Sequence, residues 1–361
     1  MYCCSNCFRD SEIKAIIQGH GKKKQKGNCD FCGSKKVVVY DIDKDDTLSE
    51  MFDGILDVYT PASLLPDSFP KEKTDLLKNL LCSHWNIFNV SSDVVYTLIK
   101  EICAERYNEQ PELFDSPVGI IKSVDKDYLE ENSILKNDQW DDFLYGIKRV
   151  NRFHSDYINK DVLLRFLSCT RKKHRAGKIF YRSRICHDEN GLKPSEMGPP
   201  PVDKAKAGRV NPEGISILYV SDSKDTTLYE IRAGLYDYVS VGRFKLLKDI
   251  NVINLADIVN ISPFIGDNAG FDFMQYAVNI QNLKRIGEEI AKPLRNDNSL
   301  DYLPTQYISD FIRSKGYDGI EYISTLRKNG VNLAVFDSKL FRCTKTETCD
   351  IRNIAYDYDT L

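Results

Sequence analysis

Two Cys-x-x-Cys pairs, Cys4-x-x-Cys7 and Cys29-x-x-Cys32, constrain this chain more than any other feature in it. Each short turn aims two thiolates at one tetrahedral ion, and the stretch between the pairs is too small to fold on a core of its own. Residues 1–45 therefore read as a Cys4 module that closes around zinc. Sites with four thiolates are usually closed and structural, so a nucleic-acid contact is the lesser reading. Cys3 is the spare. The eleven cysteines are odd in number within 361 residues, and four fall into two tight pairs at one end, which argues for a metal site in a reducing compartment over a secreted disulfide scaffold. The start MYCCSNCFRD has cysteines and charges where a signal peptide has an apolar run, and no later window reaches membrane-spanning length. A cytoplasmic chain with no membrane partner is expected. Its net charge of -3 supplies no general attraction for nucleic acid, and the run Gly21 to Lys26, without interleaved aromatics, reads as a solvated loop.

Residues 46–172 change to a helical pattern, with Leu76, Leu77, Leu80, Leu81 and Trp85 on one stripe and Trp140, Phe143, Leu144, Ile147 and Val150 on another. Ser92, ahead of Val94, Val95, Leu98, Ile99 and Ile102, is the expected N-cap. Arg149 and His154 have the Arg-x4-His spacing of helical HEPN-type ribonucleases, but so short a pattern recurs by chance, and a polar helix face accounts for it. Arg171 to Arg175 reads as a basic linker.

Beyond it, in residues 173–345, the period shifts toward strands, expected over Lys178 to Arg182, Ser216 to Val220, Tyr238 to Leu246, Asn251 to Leu255, Gly319 to Ile323 and Val331 to Phe336. Short helices are expected over Asp225 to Ala233 and Gln306 to Ser314. This mixture predicts an α+β domain with antiparallel or mixed sheets, followed by a tail over residues 346–361. With no Gly-x-Gly-x-x-Gly or Walker loop, a dinucleotide cannot be held by the phosphate cradle of those folds.

Four islands carry the chemistry: Phe180-Tyr181-Arg182-Ser183-Arg184; Met197-Gly198-Pro199-Pro200 leading to Gly208-Arg209-Val210-Asn211-Pro212-Glu213-Gly214; Leu218-Tyr219-Val220-Ser221 leading to Leu228-Tyr229-Glu230-Ile231-Arg232; and Tyr317 to Ser324 leading to Asn332-Leu333. In order and content they resemble the RES domain, from about Phe180 to Asp337. The resemblance implies an ADP-ribosyltransferase-like fold and the activity of bacterial toxins that degrade NAD+ and are held in check by an antitoxin. It also implies Arg182, Glu230 and Ser324 as catalytic residues, with Arg209 and Tyr219 binding substrate. The N-terminal half resembles the accessory domain, sometimes described as HEPN-like, that precedes some RES domains.

The residue types suit that chemistry. Cleaving the bond between nicotinamide and ribose requires holding a pyrophosphate, orienting the nicotinamide and stabilising a cationic sugar. The guanidinium groups of Arg182 and Arg209 match phosphate oxygens in sign and geometry. Tyr219 shares a strand face with Ile217 and Ser221, so its ring is placed to stack on nicotinamide and its hydroxyl to meet phosphate or ribose. The Glu230 carboxylate can stabilise the transition state, orient ribose hydroxyls or activate the attacking group. Ser324 is expected to hydrogen-bond ribose or an incoming phosphate and not to act as a nucleophile, since no histidine lies in the islands to activate it. Arg184 and Arg232 divide evenly between pocket and ion-pair roles, His187 reads as a surface residue, and Tyr181 and Tyr322 are expected in the core.

The expected function is therefore NAD+ consumption as a phosphorylase or a glycohydrolase, with phosphate or water as acceptor. The alternatives are transfer of ADP-ribose to a protein, a HEPN-type ribonuclease, and an NAD+-sensing regulatory module. An antitoxin or other regulatory protein is the expected partner, and the oligomeric state is open, a homo-oligomer included.

Overall fold

The computed structural model describes residues 1–19, 26–137, 139–265, 270–292 and 299–355. The chain forms two compact units, one of residues 1–139, 156–166 and 260–282, the other of residues 140–155, 167–259 and 283–361. No helix among the described residues is long and apolar enough to cross a membrane.

In the first unit, strands Tyr2–Cys4, Val37–Asp41 and Lys26–Gly27 make a small antiparallel sheet in the order first, second, third as named. The rest of the expected lysine-rich loop lies outside the described residues. Phe8 is fully buried and its ring lies 5.3 Å from that of Phe88, which stacks on Phe52 at 5.6 Å. The cysteine-bearing stretch thus shares an aromatic core with the helices that follow it. Helix Ser92–Ile102 buries Val95, Leu98, Ile99 and Ile102, as its periodicity predicts. Its N-cap is Ser91, in extended conformation, and the expected cap Ser92 is the first helical residue.

The second unit is built on an eight-stranded mixed sheet of β1 (Arg171–His174), β2 (Ile179–Cys186), β3 (Leu218–Ser221), β4 (Tyr238–Leu246), β5 (Ile250–Asn254), β6 (Gly319–Ile323), β7 (Val331–Val335) and β8 (Phe341–Asp350). The order across the sheet is β8-β4-β2-β3-β7-β6-β5-β1, and only β5 and β6 run parallel among these neighbours. Its apolar face buries Phe180, Leu218, Val220, Phe244, Leu333 and Val335. The helices that matter for the site are α1 (Trp140–Tyr145), α2 (Lys224–Glu230) and α3 (Leu303–Ser314). The α+β mixture expected of the C-terminal half is the one that forms.

Three local expectations change. The basic stretch Arg171 to Arg175 is no linker: it supplies β1, an edge strand whose lysines discourage further pairing. Strand β8 continues past residue 345 to Asp350, because β4 offers it a nine-residue antiparallel partner from Tyr238 to Leu246. Finally, the apolar stripe that begins at Trp140 breaks where α1 passes into a π-helical turn, Gly146–Val150, which buries Ile147 but turns Val150 outward. Arg149 lies in that turn and His154 in the irregular chain after it, both exposed, so they do not form one helical face.

Candidate active site and cysteine cluster

The register of three strands assembles the candidate active site. Tyr322 on β6 lies opposite Asn332 on β7, Asn332 lies opposite Ser221 on β3, and Tyr219 lies opposite Ala334. Alternation along a strand puts Tyr219, Ser221, Asn332 and Tyr322 on one face. All four line a cavity of about 330 Å³, together with Arg182, Arg209, Thr227, Glu230, Arg232 and Tyr302 among others.

Glu230 reaches this face because β3 is followed almost at once by α2, whose start is fixed by the Ser223 hydroxyl accepting from the Thr226 N–H at 3.1 Å. The helix ends at Glu230. Arg232 then takes a left-handed backbone, φ 51°, a strained choice for a residue with a side chain, and this strain sits on the cavity wall. One Glu230 oxygen, Oε1, accepts from the Ser324 hydroxyl at 2.6 Å and from the Asn332 amide at 2.7 Å. Asn332 is itself oriented by the Ser221 hydroxyl, which donates to its Oδ1 at 2.6 Å. Among the described residues no donor occupies the other oxygen, Oε2. Ser324 is 5% exposed and is not part of the cavity wall. Its Oγ accepts from the N–H groups of Leu326 and Arg327, each at 3.2 Å. Ser324 thus lies behind the Glu230 carboxylate and holds one of its oxygens. A side chain at Gly330 would come within 3.2 Å of the Ser324 Cβ, so the absence of one there lets the serine sit where it does.

Arg182, on β2, donates from Nη1 to the Tyr219 carbonyl at 2.9 Å. Burial, and after it the charge of Arg184, lowers its guanidinium to about 10, still protonated at neutral pH. Its Nε is buried and has no hydrogen-bond partner. Arg209 is held from several sides. Its Nη1 donates to the Ile290 carbonyl at 2.6 Å, its own carbonyl accepts from the Thr305 hydroxyl at 2.6 Å, and its guanidinium lies 5.9 Å from the Tyr322 ring centre. Among the described residues neither arginine forms an ion pair. With Arg232, which also lines the cavity and forms no ion pair among the described residues, three guanidinium groups face one carboxylate, Glu230, an excess of positive charge that favours an anionic ligand.

Tyr219 does less with its hydroxyl than expected. The oxygen donates to Asn211 Oδ1 at 2.6 Å and accepts from the Val210 N–H at 3.2 Å, so it secures the loop that carries Arg209 and is not free for a ligand. Gly208 is where this contact demands glycine: a Cβ there would meet Asn211 Oδ1 at 2.8 Å and the Tyr219 hydroxyl at 3.0 Å. Burial raises the Tyr219 and Tyr322 phenols above their ordinary value, so both stay neutral.

Several lining residues were not singled out by the sequence. Tyr322, expected in the core, is buried yet contributes to the cavity; its place two residues before Ser324, alternating with Glu321 on a strand, was the available signal. Asn332 stood in the fourth island without a role. Tyr302 gave no sequence signal. Of the two undecided arginines, Arg232 lines the cavity, while Arg184 donates to the Glu196 carbonyl at 2.7 Å.

In the first unit the four paired cysteines come together. Their sulfur atoms all lie within 4.8 Å of one another, with Cys4 and Cys32 3.5 Å apart and Cys7 and Cys29 3.4 Å apart. Four thiolates about 2.3 Å from a tetrahedral zinc would stand roughly 3.8 Å apart, so the donor set and its size fit zinc. Three of the four are buried, as a closed structural site requires. Cys3 is buried outside the set.

Residues 179–359 match the model of a protein family described as the RES domain. The chain is also similar to a solved structure, the crystal structure of the M. tuberculosis MbcT-MbcA toxin-antitoxin complex, at 13% identity over 53% of this chain and 91% of that one, with a TM-score of 0.31. No curated protein matches the sequence.

Proposed function

The chain belongs to the RES domain family, and on that footing we propose that it is a toxin-type enzyme that takes NAD+ into the cavity and breaks the bond between nicotinamide and ribose. The observation that carries this reading is the arrangement of Glu230: one carboxylate oxygen is held by Ser324 and Asn332, the other has no donor among the described residues, and the guanidinium groups of Arg182 and Arg209, neither in an ion pair, line the same cavity. Arg182 and Arg209 supply positive charge for the pyrophosphate. The rings of Tyr219 and Tyr322 offer flat apolar surface for the nicotinamide. Glu230, with its position fixed in advance, stabilises positive charge as it develops on the ribose, and because the charge is preorganised it needs no rearrangement during the reaction.

The acceptor for the ribose is phosphate in a phosphorylase and water in a glycohydrolase, and both suit this cavity. The N-terminal cysteine cluster is proposed to hold a structural zinc, and an antitoxin or other regulatory protein is proposed to restrain the enzyme. The test is nicotinamide release from NAD+ by the full-length protein, with and without inorganic phosphate, compared with Glu230→Gln. Release by the parent and its loss in the variant support the reading. Undiminished release by Glu230→Gln overturns the role of Glu230, and release only when a protein is added and becomes labelled replaces the small-molecule acceptor with a protein.

A further inference from the structure

The segment 140–155 lies upstream of the family match, yet it belongs to the unit that contains the cavity. It is joined to α3 and the turn before it by two contacts of different kinds. Phe143, fully buried on α1, meets Tyr307 of α3 edge to face at 5.6 Å. One turn further on, Lys148 in the π-helical turn forms an ion pair with Asp301 at 3.0 Å, both side chains being partly buried. Asp301 immediately precedes Tyr302, which lines the cavity.

Helix α3 is also the support for Arg209. The Thr305 hydroxyl donates to the Arg209 carbonyl at 2.6 Å, and the Gln306 amide donates to the carbonyls of Gly208 and Asn211 at 2.8 and 2.9 Å. Asn211 in turn accepts from the Tyr219 hydroxyl. A continuous series of short contacts therefore runs from the upstream segment through Asp301 and α3 to the loop that presents Arg209 to the cavity.

We propose that Lys148 is a positioning residue for substrate binding: by fixing Asp301 it sets Tyr302 and the start of α3, and through Thr305 and Gln306 the Arg209 loop, so that the functional pocket includes a strap outside the RES domain proper. π-Helical turns are rare and frequent at functional sites, and Lys148 occupies one. The proposal rests on the reading of the cavity as the NAD+ site, since it assigns Arg209 to the pyrophosphate.

The test uses full-length protein and three changes, Lys148→Glu, Lys148→Arg and the exchange Lys148→Asp with Asp301→Lys. Lys148→Glu is expected to raise the KM for NAD+ about two- to fivefold, the range for a partly exposed ion pair, with kcat changed less. Lys148→Arg and the exchanged pair are expected to restore it. Backbone hydrogen exchange gives a readout independent of the reaction: Lys148→Glu should speed exchange in residues 299–311 and 208–211. If the parent consumes no NAD+ but exchange rises as stated, the functional reading fails while the coupling stands. Unchanged exchange in both stretches, or a raised KM that the exchanged pair does not lower, overturns the proposal. Should Lys148→Glu not fold, Lys148→Met tests the same loss of charge by both measurements.

Discussion

Replacing Ser324 by alanine separates two roles for that residue. As placed here, its hydroxyl donates to Glu230 Oε1 at 2.6 Å and its oxygen accepts two backbone N–H groups, those of Leu326 and Arg327. A hydrogen bond to a charged group contributes about 1.5–3 kcal/mol. Because Asn332 still holds the same oxygen at 2.7 Å, the lower end of that range applies, about 1.5–2 kcal/mol. At about 1.36 kcal/mol per factor of ten, Ser324→Ala should lower kcat/KM roughly ten- to thirtyfold. The loss should fall mainly on kcat, because the carboxylate acts on the developing charge and the arginines still bind the pyrophosphate. The assay is initial-rate nicotinamide release across a range of NAD+ concentrations, with a thermal melt to verify folding, since the two N–H groups lose their acceptor. A loss approaching the roughly 10⁶-fold seen when a nucleophile is removed would refute the supporting role and make Ser324 a reacting group. No loss in a folded variant would refute the importance of the contact.

Asn332→Leu combined with Ser324→Ala should cost activity non-additively, since both act on one carboxylate oxygen; a double-mutant cycle measures this, and simple additivity would show that they act apart. On β6, Glu321 is 3% exposed and bonds His174 at 2.7 Å and Lys172, so Glu321→Ala leaves the buried His174 ring nitrogen without its partner and should destabilise the second unit by about 1–3 kcal/mol in urea unfolding. Burial works to raise the Glu321 carboxyl, but His174 and Lys172 more than offset it, and the net shift is downward from 4.5. A depressed carboxyl contributes stability fully above its unfolded value and loses it as pH falls through the folded one, so the difference between parent and Glu321→Ala should be level above about pH 4.5 and shrink below it. A fragment of residues 173–345 omits Lys172 and half of β8, and a melting temperature far below that of the full chain is expected. Cys29→Ser or a strong chelator should release zinc and loosen the first unit, seen as metal content and as faster exchange around Phe8.

Features that depend on short spacings could be read directly from the order of residues. Two Cys-x-x-Cys turns defined the four-sulfur cluster, and alternation located β4 and β6 to the residue. Arg182, Arg209, Tyr219 and Glu230, which the resemblance to the RES domain implied, all line the cavity, whereas Tyr302, Tyr322 and Asn332 beside them carried no such signal. What stayed hidden depends on partners far along the chain. Strand β8 is rich in threonine and charge and looks like a tail until β4 pairs with it. The 19-residue helix Phe273–Ala291 mixes its apolar residues with many polar ones, and it escaped the pattern reading. Ser324 and Asn332 lie 94 and 102 residues from Glu230, so no local rule could say that both would meet the same oxygen. Their meeting depends on the register of β3, β7 and β6, which fixes the side chains that face one another and is itself set by packing across the whole sheet.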